Sequence, residues 1–290
     1  MNSSVCSGDA ISKRIVLKRP AQFVAVLIAC LCLSGCAALL FHPMKKLVAT
    51  PADAGLAYED VWLEEGGPRL HGWWLPAQGQ PRATVYFLHG NAENISTHMN
   101  SVLWLPEQGY NVFLLDYRGY GRSDGEPELA GVIDDVRRGY RWLRARSDVP
   151  VVVLGQSIGG AVAGYAMATA AERPDAVVLD AAVASFPRIA REVAQRQWLT
   201  WPFAGLAATL MPSDYDLDAV ISQLAGVPQL YLHSPDDAII PLAHTQTLYS
   251  LASEPKTMQE TQGPHIATFA FPAYRQVLLA FLETHALAAK

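Results

Sequence analysis

The stretch Val151–Tyr165, VVVLGQSIGGAVAGY, leaves a chain few ways to fold. A run of apolar, mostly β-branched residues gives way, across a single serine, to a run of small ones. This reads as a buried strand, a sharp turn and a helix, with Ser157 at the apex of the turn. The spacing Gly155-Gln156-Ser157-Ile158-Gly159 has a steric reason: the turn forces Ser157 into strained backbone angles, and glycines two positions to either side leave room for strand and helix to approach. The hydroxyl then stands at the carboxyl end of the strand, where a helix N-terminus offers backbone N–H groups to a developing negative charge. Gly160, Ala161, Ala163, Gly164, Ala166 and Ala168 suit a helix pressed closely onto a sheet. The same five-residue pattern also occurs in ordinary glycine-rich turns, so a base and an acid have to come from elsewhere in the chain.

The rest of the chain supplies the sheet. Tyr58–Glu64 and Leu70–Leu75 alternate like strands around the turn residues Gly66-Gly67-Pro68, which predicts an antiparallel hairpin at a sheet edge. Thr84–Leu88 is a short buried strand ending in His89-Gly90-Asn91-Ala92-Glu93-Asn94, with a helix expected from there to about Gln108. Asn111–Leu115 is the next strand, followed by Asp116-Tyr117-Arg118-Gly119-Tyr120-Gly121 and by a helix whose Leu129, Val132, Ile133, Val136, Tyr140 and Leu143 recur at helical spacing. Val149–Leu154, Ala176–Leu179, Val227–Leu232 and Lys256–Thr261 complete the strands. A helix from about Leu242 to Leu251 separates the last two, and a terminal helix carries Tyr274, Val277, Leu278, Phe281 and Leu282 on one stripe. Apolar strands alternating with helices predict an α/β fold with a mostly parallel, doubly wound sheet and an antiparallel N-terminal edge. Charged residues at 17% and apolar residues at 51% suit a sheet covered on both faces and exclude a disordered chain.

From about 184 to 213 the regularity breaks. Trp198, Trp201, Phe203, Leu206, Leu210 and Met211 crowd a segment interrupted by Pro187 and Pro202. A small helical cap inserted there would shape an apolar acyl pocket; an ordinary pair of surface helices packed on the core is the other reading.

The first 35 residues read as an export signal. Lys13, Arg14, Lys18 and Arg19 precede the apolar run Ala21–Leu33, which is too short to span a bilayer comfortably, and Leu33-Ser34-Gly35-Cys36 follows. That tetrapeptide resembles the bacterial lipobox, in which cleavage precedes the cysteine and its thiol is lipidated. The resemblance implies Cys36 as the lipid attachment point, residues 36–55 as a tether and 56–290 as the folded domain. Ala37 lacks the aspartate that marks inner-membrane retention in enterobacterial lipoproteins, which in a Gram-negative host implies an outer-membrane lipoprotein facing the periplasm. An uncleaved anchor from Ala21 to Phe41 is the alternative. Cys6, Cys30 and Cys32 all precede the proposed cut, so a processed chain would need no disulfide. Processing removes four basic side chains and one acidic one, Asp9, from totals of 22 and 27, leaving 18 against 26, a balance of −8. Such a surface is repelled by nucleic acid phosphates and by anionic lipid, so attachment to the membrane would rest on the lipid.

Three polar residues fall at the carboxyl ends of expected strands: Ser157, Asp237 and His265. Serine, acid and histidine in this chain order are the elements of a nucleophilic triad, and in such a sheet those ends share one edge. From about residue 58 onward the chain resembles the α/β-hydrolase superfamily, specifically its small esterase- and depalmitoylase-like branch. His89–Ala92, Asp116–Gly121, Gln156–Gly160 and His233–Pro241 stand where that branch carries its HGNA, DYRGYG, GQSxGG and HGxxDxxVP-type motifs. The resemblance implies a serine hydrolase with no cofactor and no metal. Ser157 would attack an acyl carbonyl, His265 would act as general base, and Asp237 rather than Asp236 would orient the imidazole. The residue after the nucleophile, Ile158, would give one oxyanion-hole N–H; the resemblance puts the other at Asn91, with Ala92 as alternative. Ser234 stands where the family has glycine, and Pro264 restricts the loop before His265. Bacterial esterases, peptidases and eukaryotic depalmitoylases share these motifs. The motifs therefore do not choose the substrate; the tryptophan-rich cap favours a carboxylic ester with an apolar acyl group, thioesters and peptides are variants of the same chemistry, and a catalytically idle lipoprotein scaffold is the alternative of another class.

The remaining polar residues are expected to be structural. Asp116 and Arg118 build a turn, His89 braces its loop, His233 and His244 belong to the core or a helix surface, and His71 sits in an edge strand. Asp214, Asp216 and Asp218 imitate a calcium loop, but Ala219 and Ala225 occupy the positions that need glycine and glutamate.

Overall fold

The computed structural model describes residues 40–286; the export signal and Cys36 lie outside the described residues. Among the described residues ten strands are present: β1 (His42–Pro43), β2 (Glu59–Leu63), β3 (Leu70–Leu75), β4 (Ala83–Leu88), β5 (Ala92–Glu93), β6 (Tyr110–Leu115), β7 (Val151–Gln156), β8 (Ala176–Asp180), β9 (Gln229–His233) and β10 (Lys256–Glu260). Eight form one sheet in the order β10-β9-β8-β7-β4-β6-β3-β2. β2 and β3 pair antiparallel, as the hairpin pattern predicts, and β3 pairs antiparallel with β6. All other pairings in this sheet are parallel, so the carboxyl ends of β4, β6, β7, β8, β9 and β10 open on one edge.

The period of two along each strand divides the interior into two layers. On one face Tyr86, Leu88, Val151, Val153, Val177 and Leu179 pack with residues of the helices Leu129–Arg146 and Ile158–Ala168. On the other, Val85, Phe87, Val152, Leu154, Val178 and Leu230 pack with the terminal helix Pro272–Phe281. Every residue of β4, β6 and β7 is buried, which is why these strands read as continuous apolar runs rather than as alternation.

Two expectations need correction. The helix expected to reach Gln108 lasts only from Ile95 to His98, and short 3-10 turns at Met99–Ser101 and Pro106–Gln108 follow. Pro106 lacks the N–H that a continuing α-helix would need and takes the first position of its own turn, which ends at Gly109 with φ +82°. Of the expected tether 36–55, the part from residue 40 onward lies on the domain. Leu40 and Phe41 are buried, and Phe41 meets the Tyr120 ring edge-on. β1 pairs in parallel with β5, while Asn94 Nδ2 donates to the carbonyls of Met44 and Lys46 at 2.8 and 2.9 Å. One carboxamide thus ties down a segment that has no periodicity of its own.

The cap follows β8. Ser185 opens the helix Phe186–Gln195, accepting from the Arg188 N–H, and a 3-10 turn at Trp201–Phe203 leads into the helix Ala204–Thr209.

Candidate active site

β7 ends in the tight turn that its glycines predict. Ser157 adopts φ 58° and ψ −124°, a conformation costly for any residue with a Cβ. A Cβ on Gly155 would lie 2.5 Å from the Gly159 carbonyl oxygen. One on Gly159 would lie 2.3 Å from the carbonyl oxygens of both Leu88 and His89. Only glycine lets the strand and helix pass this closely. The turn is held from behind, where the Ser157 N–H donates to the Asp180 carbonyl at 2.9 Å. Among the described residues the other non-glycine positions with positive φ are Glu93, Ala181 and Ile266. Glu93 and Ile266 share the lining of one cavity with Ser157, and Ala181 follows β8 beside it, so backbone strain concentrates at this edge of the sheet.

The loop after β9 carries Asp237, the expected acid. Asp237 Oδ1 accepts from the N–H groups of Ile239 and Ile240 at 2.8 and 2.9 Å, which fixes the carboxylate plane. Its Oδ2 accepts from His265 Nδ1 at 2.6 Å. Asp236 is exposed and its N–H donates to Ser234 Oγ, so the serine standing in place of glycine supports the loop from within. His233, read from sequence as a core residue, does more than fill space. Its Nδ1 pairs with Thr245 Oγ1 at 2.7 Å, and its Nε2 donates to the Ile240 carbonyl at 2.9 Å while lying 3.4 Å from Asp237 Oδ2. Burial alone would raise the Asp237 pKa, but hydrogen bonds from His233 and His265 and the charge of the imidazole hold the carboxyl well below the usual range.

The loop after β10 carries His265, whose side chain is 11% exposed against 1% for Asp237. Bound to Asp237 through Nδ1, the ring keeps Nε2 for other partners. Ser157 and His265 line the same cavity of about 840 Å³, together with Asn91 and Ile158. The Oγ–Nε2 hydrogen bond is not made in this structure; such bonds commonly tighten when substrate binds.

A buried carboxylate that the sequence reading passed over joins the turn at Ser157 to the loop of His265. Asp180 accepts from Gln156 Nε2 at 2.8 Å and from Thr268 Oγ1 at 2.8 Å, and Gln156 Nε2 also reaches the Ile266 carbonyl at 3.4 Å. Burial pushes the Asp180 carboxyl up despite these bonds. A charged residue closing an otherwise apolar strand was the available signal.

The two residues expected to donate to an oxyanion, Ile158 and Asn91, sit in specific backbone settings. Ile158 is the first residue of its helix, where the N–H has no intrahelical acceptor. The Asn91 carbonyl accepts from Tyr120 Oη and from the His42 N–H, which sets the orientation of the loop after His89. His89 braces this loop as expected: Nδ1 donates to the Gly90 carbonyl at 2.8 Å, the ring lies 4.4 Å from that of Tyr117, and burial lowers its pKa to about 3, so it is neutral at physiological pH. Asp116 accepts from the Ile95 N–H, and Arg118 pairs with Asp135 through two nitrogens, so both tie the segment after β6 to neighbouring elements. Asp216 accepts from the Phe186 N–H, and among the described residues no three acidic, histidine or cysteine groups cluster as metal ligands.

Phe186, Ile189, Val193, Leu210 and Met211 of the cap, with Val183, give the cavity its apolar wall. The cap tryptophans do not. Trp198 is 81% exposed and Trp201 64%, contrary to the expectation that they shape the pocket.

Residues 79–223 match a family model, Hydrolase_4, described as Serine aminopeptidase, S33. The uncharacterized protein YfhR of Escherichia coli (strain K12) is 37% identical over 254 residues, covering 83% of this chain and 85% of that protein. The α/β hydrolase domain-containing protein WAV2 of Arabidopsis thaliana is 30% identical over 261 residues, covering 83% and 84%. Among solved structures, the Pyrococcus furiosus esterase Pf2001 superposes with a TM-score of 0.69 at 20% identity, over 84% of this chain and 99% of that one.

Proposed function

This chain belongs to the Hydrolase_4 family of α/β hydrolases, and on that premise we propose that it is a serine hydrolase cleaving carboxylic esters with apolar acyl groups. The observation that carries the reading is the 2.6 Å bond from His265 to a carboxylate held ionised, in the wall of an apolar cavity that also holds Ser157.

In the proposed reaction Ser157 Oγ attacks the acyl carbonyl while His265 Nε2 takes its proton. Asp237 stabilises the imidazolium and fixes the tautomer. The carbonyl electron pair moves onto oxygen, where the N–H groups of Ile158 and Asn91 receive it; each such donor is worth about 3 kcal/mol at the transition state. Collapse breaks the bond to the alcohol, which leaves with the proton from His265, and a water activated by the same nitrogen frees the acid. Thioesters and peptides fit the same steps with different leaving groups.

A panel of p-nitrophenyl acyl esters tests this. Activity is expected to rise by up to about fourfold in kcat/KM per added methylene until the cavity is filled. Hydrolysis of no ester, thioester or amide in the panel would leave a binding scaffold as the reading.

Cys36 is carried forward as the lipid attachment residue of a cell-envelope protein, on the sequence Leu33-Ser34-Gly35-Cys36. The intact mass of the membrane-extracted chain is expected to correspond to a start at Cys36 plus a diacylglyceryl group; the mass of an unprocessed chain would replace this with the uncleaved anchor.

A further inference from the structure

Within nine residues of the cap, Trp198, Leu199, Trp201, Phe203 and Leu206 are all more than half exposed. Neither the core nor the cavity uses them. Their neighbours Gln197, Thr200, Ala207 and Leu210 line the cavity, so one short segment builds the rim and also turns apolar side chains to solvent. Ile239, on the loop of Asp237, is 53% exposed and lines the same cavity, a further exposed apolar side chain in its wall. Monomeric domains seldom leave so much clustered apolar surface without a use.

Two further observations say what covers it. First, the described chain enters the fold at Leu40, which lines the same cavity together with His42. Leu40 is four residues from Cys36, a span of at most about 14 Å even when extended. Whether Cys36 carries lipid or the uncleaved anchor that begins at Ala21 is kept, the membrane-inserted group lies close in sequence to Leu40. Second, within residues 186–211 Arg188 pairs with Glu192, the one acidic residue of the segment, at 3.0 Å, which leaves Arg191 and Arg196 as its exposed charged side chains in an otherwise acidic chain. Tryptophan with arginine is the composition of a surface that sits at the level of lipid headgroups. Among the described residues no helix is long and apolar enough to cross a membrane.

We propose that the outer face of the cap docks on a lipid bilayer, turning the mouth of the cavity toward the lipid so that the site takes its acyl group from the membrane. The substrate half of this proposal rests on the serine hydrolase reading; the docking half rests on the cap alone.

The test uses the full chain in phosphatidylcholine vesicles with brominated acyl chains, which quench only nearby tryptophans. Emission from the wild-type chain is expected to be quenched, and Trp198→Phe with Trp201→Phe is expected to remove most of that quenching. Equal quenching in both chains, or none in either, overturns docking through the cap. Emission that ignores brominated lipid but changes on diluting the protein assigns the face to a second copy of the chain, which also overturns it. In a parallel assay the combined change Trp198→Ser, Leu199→Ser and Trp201→Ser is expected to leave turnover of a short soluble ester within twofold. On a long-chain ester presented in vesicles, activity should fall at least tenfold. An equal effect on both esters overturns the proposal. Quenching without hydrolysis of either ester upholds docking and removes the serine hydrolase reading; hydrolysis of the soluble ester without quenching does the reverse.

Discussion

Replacing Ser157 with alanine is expected to abolish labelling of the purified protein by a fluorophosphonate probe and to lower ester hydrolysis about 10⁴-fold or more, equivalent to at least about 5 kcal/mol of transition-state stabilisation. The fold should survive. The turn at Ser157 is held by its own N–H to the Asp180 carbonyl and by the close approach at Gly155 and Gly159, and none of these contacts uses the hydroxyl. Alanine at φ 58° carries the same backbone strain as serine. Thermal unfolding is therefore expected to stay within about 1 kcal/mol of wild type. Continued labelling of the alanine variant would remove Ser157 from its role, and loss of labelling together with loss of fold would make the experiment a report on stability instead.

Asp237→Asn is expected to cost about 10⁴-fold in kcat by misdirecting a proton rather than by removing a group. The amide oxygen can still accept from the N–H groups of Ile239 and Ile240, which places the NH₂ where Oδ2 now meets His265 Nδ1. A donor there requires Nδ1 to be an acceptor, so the imidazole proton moves to Nε2 and the ring can no longer take one from serine. The same NH₂ would oppose the His233 N–H, which lies 3.4 Å from Oδ2. The stability profile supplies a second readout. Although burial opposes it, hydrogen bonding by His233 and His265 depresses the Asp237 pKa in the folded state. Its contribution is then fully present above the unfolded carboxyl pKa of about 3.9 and is lost as pH falls below that value. In acid titrations followed by circular dichroism, the asparagine variant should lack this component. Identical acid profiles, or an activity loss of less than tenfold, would show that Asp237 does not hold the ring.

What the sequence disclosed depended on how local the governing interaction was. The turn at Ser157 was legible because its steric demand falls on residues two positions away, and the β-branched strands because burial on both faces leaves no alternation to misread. Asp237 and His265 could be placed because both follow strands whose carboxyl ends must share an edge. The docking of residues 40–48 was not legible: its hydrogen bonds, among them those to Asn94 and Ser96, join residues about fifty or more positions apart and leave no periodic trace. His233 was visible but undervalued, since its contact with Asp237 depends on how the intervening loop bends back to Ile240. The cap tryptophans misled for a related reason. Pro187 and Pro202 break the periodicity that would have shown which way each side chain faces, and hydrophobicity alone does not distinguish a wall from an outer surface.

The order of strands bears on when activity can first arise during synthesis. β7, β8, β9 and β10 lie side by side in the sequence in which a ribosome makes them, each laid against its predecessor. The alcohol of the proposed triad therefore emerges first, its carboxylate much later, and its imidazole only beyond the outermost strand. On this reading the nascent polypeptide is inert until the loop beyond β10 is out. A product cut short inside β10 would retain most of the hydrophobic interior yet do no chemistry.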